Sequence, residues 1–117
     1  KNPEVIEALI KAGADVNAKD KYGNTALIDA VRNNKNPEVI EALIKAGADV
    51  NVKDESGDTV LIDAVWNNEN PEVIEALIKA GADVNAKNKY GTTVLDIAKD
   101  SEIITILKKY GAKSGRK

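Results

Sequence analysis

The chain has no cysteine, histidine, methionine or phenylalanine, and only one tryptophan. Without cysteine there is no disulfide framework and no thiolate nucleophile. Without histidine as well, the usual ligand sets for zinc and iron are missing. Ile, Leu, Val and Ala must therefore fill any interior, a set that suits thin, closely stacked helices. Excess charge of either sign is also absent. Lys and Arg number 17 against 19 Asp and Glu, and the formal net charge of −2 gives no electrostatic basis for binding nucleic acid or an anionic membrane. No run approaches the roughly 20 apolar residues of a membrane span, and the first residues lack the basic-then-apolar order of a secretory signal. The chain reads as soluble and cytoplasmic. No Met opens it, which marks it as a fragment, a processed product or an ordered part of something longer.

What is present is repetition. Asn-Pro-Glu-Val-Ile-Glu-Ala-Leu-Ile-Lys-Ala-Gly-Ala-Asp-Val-Asn begins at Asn2, Asn36 and Asn70, a period of 34 residues. A fixed period of this size signifies one supersecondary unit repeated along an axis, each copy burying its apolar face against its neighbours. The first helix of that segment is strongly specified. Asn36 is a good N-cap, Pro37 occupies the first helical position, where its missing N–H costs nothing, and Glu38 meets the positive end of the helix dipole. Val39, Ile40, Leu43 and Ile44 form one apolar stripe, Glu41 and Lys45 pair on the other side, and Gly47 stops the helix. Pro3–Ala12 and Pro71–Ala80 repeat the pattern.

A second helix begins after Thr25, Thr59 and Thr93, each able to cap its first turn, and carries Leu27, Ile28, Ala30 and Val31 inward in the first copy. Ala30, Ala64 and Ala98 recur at one position, where a small residue lets helices approach closely. The Asp, Asn and Gly content of the intervening segment is that of a tight turn or hairpin.

The run Gly13-Ala14-Asp15-Val16-Asn17, followed by Asp20, Gly23, Thr25, Leu27 and Ala30, recurs at 47–64 and 81–98 and closely resembles the ankyrin repeat. The resemblance covers nearly the whole chain. It implies an all-α solenoid of stacked antiparallel helix pairs with hairpin-like loops projecting from it, and hence a single domain, 1–117. Within it lie a half repeat (1–24), full repeats (25–58 and 59–92), a shortened capping repeat (93–112) and a mobile tail (113–117). The family's Thr-Pro-Leu-His is replaced by Thr25-Ala26-Leu27-Ile28, Thr59-Val60-Leu61-Ile62 and Thr93-Val94-Leu95-Asp96, so that Thr must cap without the histidine. The unit is one residue longer than the family's usual form, and the extra residue is placed within Asn33–Asn36.

The two ends differ. The last unit lacks about a helical turn around Lys99-Asp100-Ser101, yet closes with Ile103, Ile104, Ile106 and Leu107 under a polar surface that includes Lys108 and Lys109. Lys113, Arg116 and Lys117 read as a solvated tail. At the other end Lys1-Asn2-Pro3 opens directly on the outer helix of a unit, leaving Val5, Ile6, Leu9 and Ile10 short of cover. Each exposed large aliphatic forfeits about 1.5–3 kcal/mol of burial. Upstream residues, a partner or a second copy of the chain is expected to cover this edge, which makes it a candidate surface for self-association.

Near-identical copies make their differences informative. Residues 2–35 and 36–69 differ at seven positions, of which four are Lys21/Glu55, Tyr22/Ser56, Asn24/Asp58 and Arg32/Trp66; the third copy has Lys89, Tyr90 and Thr92 at the loop positions. The resemblance places these at loop tips and on the exposed side of the inner helix, lining a concave groove that binds protein, with Asp29, Asp63, Asn33 and Asn67 supplying polar contacts. Trp66 is the expected anchor, since Trp, Tyr and Arg dominate binding hot spots. The plain alternative is that Trp66 covers a neighbour and that Tyr22 and Tyr90 fold back on their loops. No cofactor, metal or catalytic site is expected. Asp29 and Asp63 as catalytic carboxylates would need an enclosed pocket and unequal environments, neither of which a shallow groove offers. Two functional readings stand: a module that binds a protein partner, or a designed, consensus-like or self-assembling scaffold with no natural partner, as sixteen unchanged residues in each copy would suit.

Overall fold

The computed structural model describes residues 16–33, 36–67 and 70–115. Six helices run through them: α1 (Ala26–Asn33), α2 (Pro37–Lys45), α3 (Val60–Asn67), α4 (Pro71–Lys79), α5 (Val94–Ile97) and α6 (Ser101–Lys109). No strand occurs among the described residues, only an isolated bridge between Lys53 and Thr59. The inner helices α1, α3 and α5 stack in one row and the outer helices α2, α4 and α6 in another, each inner helix packing on the outer helix that follows it.

The outer helices form for the reasons their sequence dictates. The Asn36 and Asn70 side chains accept hydrogen bonds from the amides of Glu38 and Glu72 at 2.9 and 3.0 Å. At the other end Gly47 and Gly81 adopt φ of 100° and 105°, which a side chain would resist. The amides of Gly47 and Ala48 then return to the carbonyls of Ile44 and Leu43, the Schellman closure that satisfies the last carbonyls. Val39, Ile40 and Leu43 are buried, as are Val73, Ile74, Leu77 and Ile78; Ile44 is only partly covered. On the inner helices Thr25 and Thr59 accept from the amides of Ile28 and Ile62 at 3.3 and 3.2 Å, so threonine caps without the missing histidine. Leu27, Ile28, Ala30 and Val31 are buried as the pattern predicts.

A hydrogen-bonded staple joins successive units. Asn17 donates to the Gly47 carbonyl and accepts from the Asp49 amide; Asn51 does the same with Gly81 and Asp83, and Asn85 with Gly111 and Lys113, all at 2.7–3.1 Å. One side chain thus pairs two backbone groups just beyond each outer helix, where no helical partner remains.

The last unit departs from the others. Helix α5 has four residues, Ala98 turns to an extended conformation, and Asp100 starts α6 by accepting from the amides of Glu102 and Ile103. Asp96 replaces the isoleucine of the earlier copies and accepts from the Thr93 amide at 3.0 Å, supplying the reciprocal half of a capping box. The segment expected to be a mobile tail is docked as far as Gly115. Ala112 is buried. Thr93 donates to the Lys113 carbonyl at 2.8 Å, and Ser114 and the Gly115 amide donate to Asp96 at 2.5 and 2.9 Å. The reason is register: Gly111-Ala112-Lys113-Ser114-Gly115 takes the place that Gly-Ala-Asp-Val-Asn takes in the earlier units, and the same staple holds it. Arg116 and Lys117 lie outside the described residues, as do Asn34, Lys35 and the N-terminal edge with Val5, Ile6, Leu9 and Ile10.

Candidate protein-binding surface

Each projecting loop is closed from within by one side chain. Asp20 accepts from the amides of Tyr22 and Asn24, Asp54 from those of Ser56 and Asp58, and Asn88 from those of Tyr90 and Thr92, all at 2.9–3.0 Å. These are Asx turns, and the glycine that follows each tip, Gly23, Gly57 or Gly91, takes a φ near 80°. The closure turns Lys21–Tyr22, Glu55–Ser56 and Lys89–Tyr90 outward to solvent.

Tyr22 is 60% exposed, Tyr90 78% and Trp66 61%; among the described residues they are the large hydrophobics left outside the core. The ammonium groups of Lys21 and Lys89 lie 5.2 and 6.0 Å from the centres of the Tyr22 and Tyr90 rings. The first and third loop tips therefore each pair a cation with an aromatic ring, and the second, Glu55–Ser56, does not. Trp66 borders a cleft of about 60 Å³ whose walls include Ile97, Ala98, Lys99 and Asp100. The cleft lies where α5 stops short, beside the stretch in which α3 continues through Trp66.

The remaining groove candidates do not all face solvent. Asp63, expected as a polar contact, is only 3% exposed. The guanidinium of Arg32, from the preceding repeat, pairs with Asp54 and lies 3.4 Å from Asp63. Carboxylate oxygens of Asp54, Asp58 and Asp63 lie within 4.8 Å of one another. Asn88 of the following repeat donates to Asp58 at 3.0 Å. Burial raises the Asp63 carboxyl to about 7 against the downward pull of Arg32, and the charges of Asp54 and Asp58 add to the rise. The unequal carboxylate environments denied on sequence grounds therefore exist, inside the stack rather than across a groove between Asp29 and Asp63. Asn33 and Asn67 donate back to the Asp29 and Asp63 carbonyls of their own helices. Asn24, Asp29 and Thr92 are half-buried.

Sequence reading missed Asp54 and Asn88 as partners of Arg32 and Asp58. A signal was present. The position that holds Asp54 in one copy holds Asn88 in the next, and that change is accompanied by two others, Arg32 becoming Trp66 in the same unit and Asn24 becoming Asp58 at the end of the unit before. Part of the variation between copies thus falls on residues that pair with one another inside the stack.

The family model for ankyrin repeats in three copies matches residues 1–88 and again 36–117. The chain belongs to the ankyrin repeat family. Ankyrin repeats are generally protein–protein interaction modules, typically non-catalytic. No curated protein matches the chain. Among the described residues no helix is long and apolar enough to cross a membrane.

Proposed function

We propose that this ankyrin array is a non-catalytic binding module for a protein partner, anchored on Trp66 and flanked by the tips Lys21–Tyr22, Glu55–Ser56 and Lys89–Tyr90. The observation that carries the reading is the outward placement of Tyr22, Trp66 and Tyr90 while the aliphatic residues of the same repeats are buried. A side chain whose removal from the fold costs little, yet which offers a large rigid apolar surface, is the usual form of a binding hot spot. Arg32, Asp58 and Asp63 leave the contact set because the stack already uses them.

The test is to compare proteins retained by the immobilised wild-type chain with those retained by Trp66→Ala. A partner of this surface is kept by the first and lost by the second, with at least a tenfold loss of affinity, the scale of a hot-spot truncation of about 1.4 kcal/mol or more. Equal retention by both would place binding elsewhere. Unfolding of Trp66→Ala by urea should match wild type to within about 0.5 kcal/mol, as for surface substitutions in general.

A further inference from the structure

Three carboxylates and one guanidinium meet in the interface between the two full repeats. Asp54 and Asp63 are 8% and 3% exposed, Asp58 is half-buried, and Arg32 is the cation that pairs with them. With every acid ionised this cluster would hold two negative charges in excess. Excess charge in a poorly solvated site is relieved by taking up a proton or by opening to water. Asp63 is the most buried of the three and lies on α3, which cannot move without breaking the core. Asp54 and Asp58 lie on the 54–58 loop, which is closed on itself by its Asx turn and by backbone bonds among Asp54, Gly57 and Asp58, and which meets its neighbours through Arg32, Asp63 and Asn88.

We propose that Asp63 is a proton-operated latch between the full repeats: neutral, it keeps the 54–58 loop closed on Arg32; ionised, it drives that loop from the stack. A proton on Asp63 lets its carboxyl donate toward Asp54, whose oxygen lies within 4.8 Å, so that Arg32 answers one negative charge at that point rather than two. Ionisation removes the donor and sets Asp63 against both loop carboxylates. The other charged groups near α3 are otherwise engaged. On α4, Glu72, Glu75 and Lys79 open onto the outer groove with Glu41 and Lys45. Asp96 on α5 is held by Thr93, Ser114 and Gly115. Lys99 and Asp100 border the cleft beside Trp66, and Asp29 on α1 is half-buried. Because Glu55 and Ser56 form the tip of the same loop, the latch would make one part of the exposed surface respond to pH near neutrality, whatever partner that surface takes.

The test uses the intact chain without a partner. The Asp63 side-chain carboxyl is followed by carbon-13 shift, and exchange of the Ser56 and Asp58 amides, which donate to Asp54, is followed from pH 6 to 8 with correction for intrinsic base catalysis. If Asp63 titrates near 7 in the closed loop and as an ordinary carboxylate in the open one, loop protection falls about tenfold across that range. Asp63→Asn retains a donor toward Asp54 and cannot ionise, so its protection stays flat. An Asp63 carboxyl that titrates near 4 in the wild type would overturn the proposal, as would protection that is flat in the wild type. Equal pH dependence in wild type and Asp63→Asn would also overturn it. The wild-type measurements decide the matter even if Asp63→Asn does not fold.

Discussion

Arg32 on the inner helix of one repeat pairs with Asp54 in the loop that ends the same repeat, a contact that gives the arginine a role in the stack where the following copy carries Trp66. The same guanidinium reaches Asp63, so that one cation ties the loop that closes its own repeat to the inner helix of the next. In a solenoid, where each unit is stabilised by its neighbours alone, such a tie acts on the cooperativity of the whole array.

Arg32→Ala should therefore be destabilising although Arg32 is only half-buried. Removing it leaves Asp54 and Asp63 facing one another without a cation. The expected loss is about 2 kcal/mol at neutral pH, below the cost of breaking a fully buried pair because the arginine is partly solvated. Urea denaturation measures it, and the loss should shrink at pH 5, where Asp63 carries its proton.

The pH dependence of stability follows from the same group. Asp63 binds its proton up to about pH 7 when folded, and up to about 4 when unfolded. Between these values the native state holds one more proton than the unfolded state, so unfolding free energy falls as pH rises from about 4 to 7 and levels off above. The total change is at most about 4 kcal/mol, three pK units at 1.36 kcal/mol each. Asp63→Asn should remove this slope, becoming more stable than the wild type above pH 7 and nearly equal to it only at or below about pH 4, where Asp63 is protonated in both states.

Asn51→Ala tests the staple between the full repeats. It leaves the Gly81 carbonyl and Asp83 amide without their side-chain partner. Both sites are solvent-accessible, so water replaces part of the loss, and the expected cost is about 1–2 kcal/mol in urea denaturation. The equivalent change at Asn85 should act chiefly on the last unit, seen as faster exchange of the Lys113 amide.

Asp96→Ala should free the C-terminal strap without unfolding the array. Asp96 accepts from Ser114 and from the Thr93 and Gly115 amides, and these bonds hold its carboxyl down at about 2. A carboxyl held below its unfolded value stabilises the fold above about pH 4 and loses that contribution as pH falls through 2. The strap should thus stay docked to about pH 3 in the wild type. In Asp96→Ala the Gly115 and Thr93 amides should exchange faster at every pH, with the amides of α3 and α4 unchanged.

Much of this architecture is written in local sequence. The 34-residue period, the Asn-Pro-Glu helix starts, the glycine stops and the buried stripes follow from capping and helical spacing, which depend on residues within a few positions of one another. The exposure of Trp66 and the two loop-tip tyrosines was legible from a different signal, since each stands where another copy carries a different residue. What tertiary structure alone decided is which polar side chains are taken up inside the stack. Arg32 and Asp54 are 22 residues apart, Arg32 and Asp63 are 31 apart, and the docked strap reaches Asp96 from 18 residues downstream. Their pairing depends on the distance and angle between stacked units. An acidic side chain on an inner helix reads alike whether it meets water, as a groove residue would, or a guanidinium from the unit before it, as Asp63 does. Only the stacking sets which of these environments it has, and with it the charge that Asp63 carries at neutral pH.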